Sequence, residues 1–255
     1  MTFAKKSFIL ILFLAALAII AIDGHLHSKT DQIQTPQALS KTLPDFSQYT
    51  DVKAKKTAFF DYMLPFVEQA NNEILAERTL IAAIDFQTPT PKQQTQLTAL
   101  MKKYRVTDKI ITTKTKQKLL EKVDIIAPSL ALAQAANESS WGTSRFAQKA
   151  YNFYGQWCFT EGCGLVPKNR TAGMKHEVKT FKTPYDSVKG YMLNLNSHPY
   201  FKPLRDQRLL ARQNNQLPTG LDLAKGLIRY SERKEAYIKE ISAMIRSNKL
   251  TILDS

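Results

Sequence analysis

Glu138 is the acidic residue of this sequence whose surroundings best suit proton transfer. It follows residues 128–136, which are apolar on nearly every face and predict a helix through the middle of a domain. Gly142 predicts the end of that helix, with Thr143 or Ser144 capping the next one. Burial and the negative end of the helix dipole both disfavour a charged carboxylate there, so we predict a raised pKa for Glu138. Such a carboxyl group suits general acid catalysis, and a side chain turned into solvent is the alternative.

Glu177 is a second carboxylate in an unusual setting. Glycines, alternating apolar residues and scattered Lys and Arg predict a short, basic β-hairpin over residues 164–182, and Glu177 is its only acid. The basic residues near it are Lys175, His176, Lys179 and Lys182. They should keep Glu177 ionised, which would complement a protonated Glu138. An ordinary surface residue is the alternative.

Aromatic side chains are concentrated between these two acids. The heptapeptide Tyr151-Asn152-Phe153-Tyr154-Gly155-Gln156-Trp157 holds four aromatic residues with Asn and Gln among them. Sugar rings present apolar C–H faces to aromatic planes and hydroxyl groups to amides, so this strip fits a carbohydrate-binding groove. A loop whose rings belong to the core is the alternative, most of all for Phe153.

The N-terminal residues predict export. Lys5 and Lys6 precede an uninterrupted apolar run, which indicates a signal peptide or an uncleaved membrane anchor over residues 1–22. Residues 23–50 are rich in polar residues and predict a tether, and residues 51–255 are expected to form the folded domain.

Helical periodicity dominates that domain. Apolar residues recur at helical spacing from Val52 to about Ile84, and Pro65 predicts a division of this segment into two helices. Pro91 suits the first turn of a polar helix that follows, and another helix is expected over residues 116–123. Together with one strand-like stretch, these segments predict a mainly α (α+β) fold.

Cys158 and Cys163 are the two cysteines of the chain. An exported domain faces an oxidising compartment, so a local disulfide is favoured over two free thiols. Gly162 and Gly164 let the backbone turn tightly enough to close so small a ring. A zinc site would need four ligands and His176 alone is too few, so no metal is predicted.

Charge narrows the class of partner. The chain has 255 residues, and its 36 Lys+Arg against 22 Asp+Glu give a formal net charge of +14. This balance points to a polyanionic partner, either nucleic acid, an anionic membrane or an acidic polymer. Nucleic acid is the weakest candidate, because export removes it and the basic residues are dispersed. The sequence contains no phosphate-binding loop, nucleophile elbow or His-Glu-x-x-His motif, and no cofactor is predicted.

Two motifs resemble the glucosaminidase domain of glycoside hydrolase family 73, a lysozyme-like peptidoglycan hydrolase. They are residues 134–142, followed by Ser144, and the run Asn152-Phe153-Tyr154-Gly155. Downstream motifs look closer still to the Bax-like subgroup of that family. These are Thr183-Pro184-Tyr185-Asp186-Ser187-Val188, Tyr191, Asn194-Leu195-Asn196 and Tyr230-Ser231-Glu232-Arg233. The resemblance covers roughly residues 50–250 and implies a lysozyme-like helical domain with a small β-hairpin lobe.

The resemblance also implies roles for individual residues. Glu138 takes the position of the general acid, and Glu177 that of the second acid proposed in several members, with Glu161 and Asp186 as alternatives. Together with the aromatic strip, it predicts a set of substrate-binding positions. They are Trp141, Ser144, Asn152, Tyr154, Gly155, Trp157, Tyr191 and Tyr230.

The predicted reaction is hydrolysis of the β-1,4 bond that follows N-acetylglucosamine in peptidoglycan, an endo-β-N-acetylglucosaminidase activity. Peptidoglycan glycan strands are then the expected partner. The expected location is the periplasm or the outer face of the inner membrane, where the N-terminal apolar segment would serve as an anchor if uncleaved. A lytic transglycosylase and a catalytically silent wall-binding or scaffold protein are the alternatives.

Overall fold

The computed structural model describes residues 42–168, 170–171 and 173–254. The predicted export signal, and the predicted tether up to residue 41, lie outside the described residues. Within the described ranges, no helix combines the length and the apolar character needed to cross a membrane.

Helices make up most of the described chain, and the predicted mainly α fold with a small β lobe is confirmed. The helices are α1 (Val52–Ala83), α2 (Pro91–Lys103), α3 (Thr113–Lys122), α4 (Pro128–Ser139), α5 (Arg145–Ala150), α6 (Pro184–Ser197), α7 (Lys202–Gln213), α8 (Gly220–Ala224) and α9 (Glu235–Ser247). Short 3₁₀ helices occur at Phe46–Gln48, Pro199–Phe201 and Leu250–Asp254. The strands are β1 (Trp157–Cys158), β2 (Gly164–Leu165) and β3 (Glu177–Lys179).

Helix α1 is one continuous helix, so the predicted division at Pro65 is wrong. A proline inside a helix leaves the carbonyl group four residues earlier without its donor, which is costly only where water cannot replace it. Pro65 and Asp61 both lie on the exposed face of α1, where water can hydrate that carbonyl. The opposite face of the helix packs against α4 and α6.

The start of α2 was predicted correctly. Thr90 is its N-cap and Pro91 its first residue, and Thr90 and Gln93 form a reciprocal capping box. The helix predicted over residues 116–123 is α3, which begins three residues earlier.

Helix α4 is the central helix, as its apolar sequence predicts. Residues 129–136 are buried without exception, and the helix contacts α1, α8 and α9. A helix that is apolar on all faces is stable only when surrounded in this way. Its last turn, which contains Glu138, therefore lies where the helix passes from the core to the surface.

Arg208 on α7 forms hydrogen bonds to the end of α3 and to the segment that leads into α4. The side chain is 1% exposed, and its guanidinium donates to four main-chain carbonyl groups, those of Glu121, Lys122, Asp124 and Ile125. The Asp124 carboxylate accepts two hydrogen bonds from Arg212, at 2.8 and 3.0 Å. Burial alone would raise the pKa of Asp124, but the bonds from Arg212 and the nearby guanidinium charges outweigh it and lower the pKa.

The packed core begins before residue 51. Phe46, in the segment predicted to be a tether, is fully buried and packs edge-to-face on Phe59 of α1. Its ring also lies against Gly142, where an added Cβ atom would come within 2.5 Å of Phe46 Cδ2. Phe46 is therefore part of the domain that carries Glu138.

The β lobe is a three-stranded antiparallel sheet with β3 in the centre. Gly164 and Leu165 of β2 pair with Lys179 and Val178 of β3, which is the predicted hairpin. Trp157 of β1 pairs with Val178 on the other side of β3, so the aromatic strip ends as an additional strand. The sheet thereby joins this strip to the strand that carries Glu177.

Cys158 and Cys163 form a disulfide, which confirms the predicted pairing. The bond closes the turn between β1 and β2. Disulfides persist in oxidising compartments, so this bond is typical of an extracellular or periplasmic protein.

Replacing both cysteines by serine should lower the free energy of unfolding by about 2 kcal/mol, because the cross-link removes loop entropy from the unfolded chain. Urea denaturation of the oxidised protein and of the double variant checks the value. In the exported protein, mass spectrometry after alkylation should find no modified thiol unless a reductant is added first. Two alkylated cysteines without reduction would contradict the pairing.

Candidate active site

Glu138 lies in the last turn of α4, followed by a sharply bent segment. Ser140, Trp141 and Gly142 have φ values of 51°, 59° and 76°, so three successive residues occupy the left-handed region. Two of the three are not glycine, and such backbone is stable only when its surroundings enforce it. Strain of this kind is concentrated at functional sites.

Hydrogen bonds and packing enforce this bend. Gly142 N–H donates to Ser139 Oγ at 2.8 Å, and Ser144 N–H donates to the Ser139 carbonyl at 2.9 Å. Gly142 is required both for its positive φ and for the close approach of the Phe46 ring. Ser144 then caps α5 by accepting a hydrogen bond from Ala147 N–H, as one of the two predicted caps.

The Glu138 carboxyl group is half-buried and its two oxygens differ in environment. Tyr237 of α9 donates its hydroxyl to Oε1 at 2.8 Å, and Asn137 Nδ2 is 3.4 Å from the same oxygen. Oε2 lies over Gly155, where an added Cβ atom would be 3.4 Å away. Gly155 is exposed, has a φ of 63° and carries no side chain that could cover Oε2.

Burial raises the pKa of Glu138, in the direction predicted. The hydrogen bonds from Tyr237 and Asn137 stabilise the anion and oppose this effect without cancelling it. The negative charge of Glu240 adds to the rise, whereas the positive charge of Arg233 reduces it. The site thus stabilises the protonated form of Glu138 relative to the same group in water, which is the direction that a general acid needs.

Much of the aromatic strip forms the scaffold of the site. Asn152 is 1% exposed, and its amide group donates to the carbonyls of Gln156 and Lys179 while its oxygen accepts from Gln156 N–H. Tyr154 is also buried and stacks on Tyr191 of α6 with ring centroids 3.9 Å apart. Asn152, Tyr154 and Tyr191, three of the predicted substrate-binding residues, thus have buried side chains that contact other protein groups. Phe153 is a core residue.

Four of the predicted substrate-binding positions are accessible. Trp157 is 54% exposed and stacks on the His176 ring at 4.1 Å. Trp141 is half-buried and packs edge-to-face on Phe59 and Phe60 of α1. Tyr230 is half-buried beside Tyr237. The fourth is Gly155, which is exposed and lies next to Glu138 Oε2.

Glu177 is buried rather than exposed among the basic residues of its hairpin. It is 5% exposed, and its two carboxylate oxygens accept hydrogen bonds from Gly162 N–H at 3.0 Å and Gly164 N–H at 2.7 Å. These bonds lower the pKa of Glu177, with a small contribution from Arg170, so it is ionised as predicted. The carboxylate is also bound to the loop that the disulfide closes.

The two alternative acids have different surroundings. Glu161 is exposed within the disulfide loop. The Asp186 carboxylate accepts a hydrogen bond from the Thr183 hydroxyl at 2.8 Å, at the start of α6. Neither residue contacts Glu138 in any described hydrogen bond.

A cluster of metal-ligand residue types occurs among the described residues at Cys158, Cys163 and Glu177. The two sulfur atoms are bonded to each other, and both Glu177 oxygens accept backbone hydrogen bonds. The cluster therefore offers no thiolate ligand in the oxidised protein.

Tyr237 and Gln134 are site residues that sequence reasoning missed. Gln134 is one turn before Glu138 on α4, and this i, i+4 spacing was the available signal. Tyr237 is 99 positions from Glu138 and reaches it only because α9 packs against α4.

The described residues thus form a helical domain with a small sheet, in which a carboxyl group of raised pKa lies next to Gly155 of the aromatic strip. The family model described as "Glucosaminidase: Mannosyl-glycoprotein endo-beta-N-acetylglucosaminidase" matches residues 113–250, more than half of the chain. The chain belongs to this glucosaminidase family of glycoside hydrolases.

A curated protein is also similar to the chain. The chain is 30% identical to "Protein bax" of Escherichia coli (strain K12) over 227 residues, which covers 88% of this chain and 81% of that protein. No solved structure shows a significant match to the chain.

Proposed function

We propose that this protein hydrolyses the β-1,4 bond that follows N-acetylglucosamine in peptidoglycan. The observation that carries the proposal is Glu138, a half-buried carboxyl group of raised pKa whose Oε2 lies over the exposed Gly155. Tyr230 is half-buried and stacks on Tyr237, which donates to Glu138, and Trp157, two residues after Gly155, is 54% exposed. Accessible aromatic surface of this kind suits a sugar-binding groove. The net charge of +14 fits a polymer whose peptide stems carry carboxylates.

In this mechanism, Glu138 protonates the glycosidic oxygen as the bond to the anomeric carbon breaks. Protonation turns a poor leaving group into a neutral alcohol, and the positive charge that develops on the sugar ring is then captured by water. The proton comes from Oε2, because Oε1 accepts the Tyr237 hydroxyl hydrogen bond.

The water must be activated by a second group, and Glu177 is the residue we propose for it. Its lowered pKa keeps it ionised, as a base requires, and each of its oxygens has a second lone pair besides the one that accepts a backbone hydrogen bond. A separation of about 6.5–9.5 Å between the working carboxyl groups would give inversion at the anomeric carbon, and about 5–5.5 Å would give retention. The 2-acetamido group of the substrate acting as nucleophile is the alternative.

Analysis of the ends produced from purified peptidoglycan tests the function. Hydrolysis by a glucosaminidase leaves reducing N-acetylglucosamine, which borohydride converts into an alditol identifiable by mass spectrometry. A lytic transglycosylase leaves an anhydro sugar, and a silent wall-binding protein leaves no new ends. Either of these two results would contradict the proposal.

Glu177→Gln should reduce turnover by about 10²-fold or more with little change in substrate binding, because general-base assistance acts in the transition state. Glu161→Gln, in the disulfide loop that Glu177 binds, is the matched control and should retain turnover. Azide can replace the activated water, so it should restore glycosyl transfer in Glu177→Gln if the lost function is that of a base. Normal turnover by Glu177→Gln, together with a large loss in Glu161→Gln or Asp186→Asn, would transfer the role to that residue.

A further inference from the structure

Three buried polar side chains form an unbroken series of hydrogen bonds that ends on the half-buried Glu138. Tyr191 of α6 donates its hydroxyl to Gln134 Oε1 at 2.6 Å. The other end of the same amide, Gln134 Nε2, donates to the Tyr237 hydroxyl oxygen at 2.8 Å. Tyr237 in turn donates to Glu138 Oε1 at 2.8 Å. The series joins α6, α4 and α9 at one point beneath the carboxyl group.

The donors in this series all point the same way. A carbonyl oxygen only accepts and an amide nitrogen only donates, so the Gln134 side chain receives from Tyr191 and gives to Tyr237. The single Tyr237 hydroxyl proton is then directed to Glu138 Oε1. An oxygen that accepts this proton is poorly placed to carry one of its own.

Burial and ring packing hold the series in place. Gln134, Tyr191 and Tyr237 are at most 1% exposed, so water does not compete for their hydrogen bonds. Each tyrosine ring is stacked: Tyr191 on Tyr154 at 3.9 Å, and Tyr237 on Tyr230 at 5.3 Å. Burial together with the charge of Glu138 keeps the pKa of Tyr237 far above its ordinary value, so Tyr237 remains a donor at any working pH.

We propose that Tyr191, Gln134 and Tyr237 are positioning residues that direct the lone pairs of Glu138 Oε1 inward and thereby place the transferable proton on Oε2. The inference rests on the proposed function, and it assigns this function a supporting network that extends beyond the acid itself. Tyr237 does not touch substrate in this role. It determines which of the two carboxyl oxygens carries the transferable proton, and how the carboxyl group is oriented.

Other charged groups face Glu138 and enter the expected pH dependence. Glu240 of α9 raises the pKa of Glu138 and Arg233 lowers it, and these two side chains form an ion pair with each other. The nearby hydroxyl of Tyr230 donates to the Tyr154 carbonyl at 3.0 Å and is not part of the series. A change confined to Tyr237 leaves these groups in place.

Tyr237→Phe is the decisive variant, because it removes the donor to Oε1 and keeps the stacked ring. We expect kcat to fall by about 10-fold or more, since a misplaced catalytic group loses much of its effect. Loss of a hydrogen bond to the anion also raises the pKa of Glu138, so the alkaline limb of the kcat/KM profile should move to higher pH. A purely structural defect would lower activity without moving that limb.

Tyr62→Phe is the matched control. Tyr62 lies on α1, and its hydroxyl is without a hydrogen-bond partner among the described residues. Removing this hydroxyl should leave both the rate and the pH profile unchanged.

A titration without substrate separates this inference from the proposed function. In protein labelled with ¹³C at the Glu side-chain carboxyl groups, the Glu138 resonance should titrate at higher pH in Tyr237→Phe than in wild type or Tyr62→Phe. If the titration moves but peptidoglycan is not cleaved, the network stands and the proposed function falls. An unmoved titration in folded Tyr237→Phe overturns the network. If that variant does not fold, Tyr191→Phe decides, and the expected shift has the same direction and a smaller size.

Discussion

Glu138→Gln should reduce the hydrolysis of peptidoglycan by about 10²- to 10⁴-fold, the contribution typical of a general acid. Glutamine keeps the volume of the side chain and an oxygen that can accept from Tyr237, but it has no acidic proton to give. Release of soluble fragments from labelled peptidoglycan measures the loss. Glu68→Gln, an exposed position on α1, is the matched control and should be fully active.

The same variant reports whether the fold is intact. The pKa of Glu138 is raised above its ordinary value of 4.5, so this group favours the folded state below that pH, and the benefit is lost as the pH rises. Glutamine has no charge to bury at any pH. The melting temperature of Glu138→Gln at pH 7 should therefore equal or exceed that of wild type, and the difference should vanish below pH 4. Retained activity would remove Glu138 from the role of acid. An unfolded variant would contradict the environment described for it.

Arg208→Met should lower the free energy of unfolding by about 3–5 kcal/mol, which makes it the largest expected effect on stability. Methionine fills much of the space but leaves four main-chain carbonyls at the junction of α3 and α4 without their donor. Orphaned buried acceptors are costly because they have lost water as well.

Urea denaturation of Arg208→Met checks this value. Arg246→Met, at an exposed position of α9, is the control and should change the free energy of unfolding by less than about 0.5 kcal/mol. A similarly small change in Arg208→Met would mean that the carbonyls find other donors.

Local signals in the sequence predicted the elements that local physics determines. The apolar run of α4 predicted its central place, and the position of Glu138 at its end predicted the direction of its pKa shift. The start of α2 at Pro91 was found in the same way. Pro65 was misjudged, because the cost of a proline depends on which face of the helix meets water, and that is decided by distant packing partners.

At the candidate site, the sequence failed mainly to predict which side chains point outward and which point into the core. An aromatic strip suits both a sugar-binding groove and a core, and the sequence alone does not separate rings that face out, such as Trp157, from rings that face in, such as Tyr154. The burial of Glu177 was missed for a similar reason, since its partners are main-chain N–H groups that carry no sequence signal. Tyr237 was missed because its contact with Glu138 spans 99 positions.

The packing of Phe46 beneath Gly142 has a consequence for fragment design and for chimeras between relatives. The family match begins at residue 113, yet Trp141 lies against Phe59 and Phe60 of α1, and Gly142 lies against Phe46. A fragment that begins at residue 113 would lack these three phenylalanines, so it would expose Trp141 and remove the support of the strained turn after Glu138. The smallest transplantable unit therefore starts before Phe46, and exchanges between family members should carry α1 together with the strained turn after Glu138.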